Sequence, residues 1–148
     1  MSIIRYMALA GTLSIFVGCG DSGPEIATVT GTITMDDAPL PNASIIFQPE
    51  RGRPAGARSD ENGEYELNFS GGRMGAQPGT YIVAIRTARE GSIEDDGSRS
   101  PGKPETVPAQ YNVSSELRYT VEADKANVAD FNLTSDGELP EEKAADDN

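Results

Sequence analysis

TVTGTITM, residues 28–35, places Val29, Ile33 and Met35 on one side of an extended chain and Thr28, Thr30, Thr32 and Thr34 on the other. Successive side chains of a strand point to opposite faces, so strict alternation marks a strand with one face buried. EYELNF (64–69) repeats the pattern, with Tyr65, Leu67 and Phe69 inward and Glu64, Glu66 and Asn68 outward. Working outward, ASIIFQ (43–48) turns Ile45 and Phe47 inward, and TYIVAIRT (80–87) does so with Tyr81, Val83 and Ile85. Ile82 and Ala84 are apolar as well, which predicts a central strand. LRYTVEA (117–123) carries Leu117, Tyr119 and Val121, and NVADFNL (127–133) carries Ala129, Phe131 and Leu133. A weaker segment, GARSD (56–60), offers a seventh strand.

Turn chemistry separates these runs. MDDAPLPN (35–42) and DENG (60–63) hold the Asp, Asn, Gly and Pro that tight turns require, SGGRMGAQPG (70–79) is a glycine-rich link, and EADKAN (122–127) joins the last two strands. About seven short strands with no helical period predict an all-β chain folded as a single antiparallel Greek-key β-sandwich. Sixteen Gly and ten Pro in 148 residues fit many turns and little helix. The segment 88–116, rich in Ser, Gly, Pro and charge, predicts a long loop that is either functional or mobile.

The chain opens differently. MSIIRYMALAGTLSIFVG (1–18) has one cation, Arg5, no acid, and an uncharged apolar run from Met7 to Val17. That is the pattern of a secretory signal. The run is too short to cross the bilayer as a helix, which takes about 20 residues. The sequence's one cysteine, Cys19, follows directly after Gly18. An ordinary signal with an unrelated cysteine, or an uncleaved anchor, also fits these residues. Phe16-Val17-Gly18-Cys19 resembles a bacterial lipobox, although that motif mostly has Leu where this chain has Phe16. The resemblance implies cleavage after Gly18, a diacylglyceryl group on the Cys19 sulfur, and acylation of the new amino terminus. Several acyl chains anchor stably where one is marginal, at about 0.8 kcal/mol per buried CH₂. The expectation is an exported protein held by lipid on a bacterial membrane, inner or outer.

Removing the signal takes away Arg5, leaving eleven basic residues against twenty-four acidic ones and a net charge of −13. Phosphates repel such a surface, which excludes non-specific nucleic-acid binding. GDSGPEIAT (20–28) is small and polar and predicts a flexible tether over 19–27, and SDGELPEEKAADDN (135–148) predicts a disordered acidic tail, since it has too little apolar surface to offset the cost of ordering. The domain proper then spans 28–134.

Chemistry is sparse. The chain has no histidine, so neither a Ser-His-Asp relay nor a His-ligated metal is available. The carboxylates fall on solvent faces or in the tail, where they serve solubility. DENGE (60–64) gathers oxygens, but an EF-hand needs a longer set at fixed positions. Asp60 capping the turn and Gly63 supplying its positive φ is the simpler expectation, with no metal and no cofactor. Sugar binding by ring stacking needs exposed aromatics. There is no Trp, and outside the signal only Tyr111 falls off an inward face. Partners are then the membrane through the lipid, and envelope proteins or polysaccharide.

VTGTITMDDAPLPNASIIFQPERGRPAGARSDENGEYEL (29–67) resembles the carboxypeptidase regulatory-like domain, in the version found singly in small bacterial lipoproteins. The family reads as a V-x-G-x-V strand, a D-G-x-P-L turn, an A-x-V-x-F strand, and T-D-x-x-G-x-Y/F. Here these are Val29–Ile33, Asp37–Leu40, Ala43–Phe47 and Ser59–Tyr65. GAQPGTYIVAI (75–85) resembles its P-G-x-Y-x-V strand, and VPAQYNVSSELRYTVEADKANVADFNL (107–133) its closing segment, with Pro108, Tyr111, Ser115 and Leu117 at recurring positions. Ala38 stands where the family turn has Gly. The resemblance implies a transthyretin-like sandwich that is not an enzyme.

Overall fold

The computed structural model describes residues 23–141, so Gly18, Cys19, the expected signal helix and the end of the acidic tail lie outside the described residues. In chain order the strands are β1 (Val29–Met35), β2 (Ala38–Pro39), β3 (Ser44–Pro49), β4 (Ala55–Arg58), β5 (Glu64–Glu66), β6 (Asn68–Ser70) and β7 (Arg73–Met74). They continue with β8 (Gly79–Arg86), β9 (Ser92–Ile93), β10 (Arg99–Ser100), β11 (Arg118–Val121), β12 (Asn127–Val128) and β13 (Phe131–Leu133), and one short 3₁₀ turn spans Ala109–Tyr111. The protein is an all-β sandwich.

One sheet runs β11-β8-β3-β4-β6-β7, and the other gathers β12, β13, β2 and β5 around β1. In the first, β8 returns past the intervening strands to lie beside β3, giving the spatial order β8-β3-β4-β6 of a Greek key. Pairing is antiparallel throughout that sheet. The second sheet departs from the antiparallel expectation, because β12 and β13 both run parallel to β1. The chain path requires this. The end of β11 at Val121 pairs with Gly79, at the same end of the sandwich as Val29. A chain crossing between sheets there must travel in the direction of β1.

Between the sheets lies one core. Val29, Ile33, Ile45, Phe47, Leu67, Val83 and Ile85 are wholly buried, and Tyr65, Tyr81, Val121, Ala129, Phe131 and Leu133 nearly so. Phe69, Tyr111, Leu117 and Tyr119 pack against it half-buried. The period-2 assignments therefore hold in every major run. GARSD does supply a strand, β4. The run 64–69 divides at Leu67: β5 pairs with β1 in one sheet, and β6 with β4 in the other. Its alternation survives because Leu67 sits where the two sheets share the core.

As expected, β8 is central in its sheet, between β11 and β3, and Ile82 on its outer face is 42% exposed because no further layer covers that face. The turn at Ala38 resolves through its neighbours. Met35 pairs with Ala38 across two residues, Asp36 and Asp37, at φ 50° and 63°. Two positive φ values in a two-residue hairpin are the signature of a type I′ turn, and Asp tolerates them better than most residues. The glycine is therefore not needed at position 38.

The pairings give the sandwich two poles. The chain enters at one, beside the turns 50–54, 71–72 and 122–126. At the other lie the turns 36–42 and 59–63 and both ends of the segment 87–116. The entry is tied down earlier than a tether over 19–27 implies. The Arg73 guanidinium donates to the Pro24 carbonyl at 2.6 Å, and Ala27 is buried and exchanges backbone hydrogen bonds with Ala76 at 2.9 and 3.0 Å. At the far pole the first residues beyond 134 are likewise held. Ser135 N–H donates to Asp36 Oδ1 at 3.0 Å and Ala109 N–H to the Glu138 carbonyl at 2.8 Å.

Candidate functional site

The far pole collects the features that sequence singled out. In DENGE, Asp60 Oδ1 accepts the backbone N–H of Asn62 at 2.8 Å and of Glu64 at 2.9 Å. Gly63 lies at φ 77°, and a Cβ there would stand 2.4 Å from the Ile33 carbonyl oxygen. One side-chain oxygen of Asp60 thus faces inward to its own turn, and Gly63 is set by close approach as well as by conformation. Among the described residues no group of three or more Asp, Glu, Cys or His could hold a metal ion.

The segment 88–116 has internal order that its composition hid. Arg89 and Lys103 exchange backbone hydrogen bonds at 2.9 and 2.7 Å, β9 pairs with β10, and Glu94 N–H closes onto the Ser98 carbonyl at 2.9 Å. Residues 89–103 form a two-stranded arm projecting from the pole. Gly91 and Gly102 face each other at its root, where a Cβ on either would stand about 3 Å from backbone across the arm. Nearly every residue from Arg89 to Lys103 is exposed, and Ile93 is 71% exposed.

Glu105 clamps that root, and sequence reasoning missed it. Its Oε1 accepts from Thr87 N–H (2.8 Å), Thr87 Oγ1 (2.7 Å), Thr106 N–H and Val107 N–H (3.0 Å each), and its Oε2 from Asn112 Nδ2 at 2.7 Å. Thr87 and Asn112 are themselves buried. Burial works to raise the Glu105 pKa, but the donors from Thr87, Val107 and Ala88 outweigh it and hold the carboxyl below the usual range. The only signal in the sequence was an acid between Pro104 and Pro108, among polar neighbours.

This carries a pH prediction. A depressed carboxyl contributes stability that is full above its unfolded-state value, near 4.5, and is lost as pH falls through the lower folded-state value. Glu105→Gln is therefore expected to lower the thermal midpoint at pH 7 and to differ less from wild type at pH 3. Equal differences at both pH values would mean the charge is not what the donors recognise.

The aromatic rings turn inward. None of the seven among the described residues is exposed, and Phe47 packs edge-on or tilted against Tyr81, Tyr119 and Phe131 at centroid distances of 5.7–6.2 Å. Burial raises the pKa of the Tyr65 phenol, whose hydroxyl donates to the Ala129 carbonyl. Tyr111, the ring left unassigned to a strand, lies half-buried with its hydroxyl 3.3 Å from Thr134 Oγ1. Among the described residues no row of rings faces solvent for a sugar to stack on.

Beside the arm root lies a groove of about 520 Å³. Arg86, Arg89 and Lys103 line it together with Val113, which is 71% exposed, and with Pro104 and Pro140. Glu90 and Glu141 also border it.

No family model matches the chain, and no curated protein matches it. Among solved structures the chain is similar to part of a 9R-lipoxygenase from Cyanothece PCC8801, at 15% sequence identity and a TM-score of 0.41. The match covers 84% of this chain, which spans 18% of that protein. A likeness at that level does not bear on activity.

Proposed function

We propose that this protein is a lipid-anchored, non-catalytic module of the bacterial cell envelope, a carboxypeptidase regulatory-like sandwich that meets protein partners at the pole away from its anchor. The observation that carries the anchoring is the placement of the one cysteine, Cys19, directly after an apolar run and a small residue. Once acylated, Cys19 leaves no thiol in the chain.

Support for the family reading comes from why its glycines are needed. Gly31 of the V-x-G-x-V strand has the Ala129 carbonyl against its Cα, and Gly63 of the D-x-x-G-x-Y turn has that of Ile33. Support for a protein partner over a polysaccharide comes from the inward rings. Only residues 20–23 separate Cys19 from the clamped Pro24, a reach of about 18 Å at most. The entry pole would then sit close to the lipid surface, and the arm would face away.

Cys19→Ser is expected to move the full chain from the membrane pellet to the soluble fraction. Unchanged pelleting would end the lipid reading. Separately, a specific hit for the full chain on a glycan array would replace the protein partner with a carbohydrate.

A further inference from the structure

The arm stands apart from the rest of the chain energetically. A two-stranded ribbon without a third strand or a covering layer is marginal in water. From Arg89 to Lys103 only Ser100 is even half-buried, and Ile93 is 71% exposed, so opening the arm uncovers almost no apolar surface. Backbone closes it: the bridge between Arg89 and Lys103, the pairs Ser92–Ser100 and Ile93–Arg99, and a tip turn in which Gly97 N–H donates to the Glu94 carbonyl at 2.8 Å. Segments of this kind open at a small fraction of the free energy that unfolds a core.

The opening has a fixed limit. Glu105 ties Thr87 to Thr106, Val107 and Asn112 below the root, and none of those bonds reaches into 89–103. Beneath that clamp the two flanking stretches belong to one body. β11 pairs with β8 from Arg118–Ile82 to Val121–Gly79, and β12 and β13 lie along β1. Val121, Phe131 and Leu133, which follow the arm, share a core with Val29, Phe47 and Val83, which precede it. A break in the arm therefore severs the covalent link between two sets of strands and leaves their packing whole.

The arm also carries side chains that a protease reads. Arg99 is exposed and followed by Ser100, and Arg89 is exposed at the root and followed by Glu90. Arg58, Arg73, Arg86 and Arg118 lie within core strands, and Arg51 and Lys125 in short turns. Arg53 and Lys103 each precede proline, a poor residue on the leaving side of a scissile bond. We propose that the arm is a processing site for endopeptidases that cut after basic residues, opened first at Arg99–Ser100, and that the sandwich survives the cut as a two-piece body. Hydrolysis adds water across that amide: the C–N bond breaks, Arg99 keeps a carboxylate and Ser100 gains an ammonium. Removal of 90–99 by a second cut after Arg89 would take away the arm and leave the Glu105 clamp in place. None of this depends on Cys19 being acylated.

Limiting trypsin on the full chain in mild detergent tests this. Within residues 23–141 the first break is expected in the arm, after Arg99 and then after Arg89, located by the masses of the fragments. The severed chain is expected to elute from gel filtration as one species at the position of the intact protein, to keep its far-ultraviolet circular dichroism, and to part only in urea. R89Q/R99Q changes two exposed side chains and is expected to slow the first break at least about tenfold, because the remaining sites open only with the core. A first break elsewhere in 23–141, pieces that separate without denaturant, or a double variant cut as fast as wild type would each overturn the proposal.

Discussion

Phe47→Ala is expected to cost about 3–5 kcal/mol of unfolding free energy, the range for deleting a buried aromatic side chain. Phe47 has no solvent exposure and lies on β3, the strand hydrogen-bonded to both β4 and β8. Its ring meets Tyr81 on the same sheet and Phe131 on the opposite one, so its loss opens the seam between layers. The chain has no disulfide to compensate. Urea unfolding followed by tyrosine fluorescence gives the number, and a loss below about 1 kcal/mol would mean that the core is not centred there.

Gly31→Ala is expected to be comparably severe, about 3 kcal/mol, at the upper end of what overpacking costs. A Cβ at position 31 would fall 1.9 Å from the Ala129 carbonyl oxygen, a backbone atom, and 2.9 Å from the Tyr65 hydroxyl. Here the parallel ladder is interrupted between β12 and β13. The Ala129 carbonyl turns in over Gly31 to accept the Tyr65 hydroxyl, while Asp130 Oδ1 takes the Thr32 N–H at 2.8 Å. A methyl group forces the last strand off β1. Thermal unfolding of Gly31→Ala beside Thr32→Ala, on the solvent face, distinguishes crowding from strand propensity; equal small losses would refute the close approach.

The strands were legible wherever burial imposed a period. Val29 to Met35, Ile45 with Phe47, and Tyr81 to Ile85 alternate because one face of each meets the core. What escaped notice was held by backbone or by carboxylate. Ala27 docks on Ala76 through main-chain groups, so its polar surroundings read as a tether. The arm at 89–103 buries nothing, so no apolar alternation could reveal its ladder. Ile82 and Ala84, apolar beside the alternating residues, marked β8 as a strand with neighbours on both edges, and it lies between β11 and β3. Of the candidate residues, Asp60 and Gly63 were readable because turn chemistry is local. Glu105 was not, because its partners Thr87, Val107 and Asn112 come together only after β8 and the returning chain are in place.

The parallel seam between β1 and β13 has a mechanical side. The chain enters the body beside Val29 and leaves it beyond Leu133, so a pull between those two ends drags two adjacent strands past each other lengthwise. Such a load strains the hydrogen bonds of the seam together, where a hairpin would unzip them one after another. The body is thereby built to bear tension along the line joining its two poles.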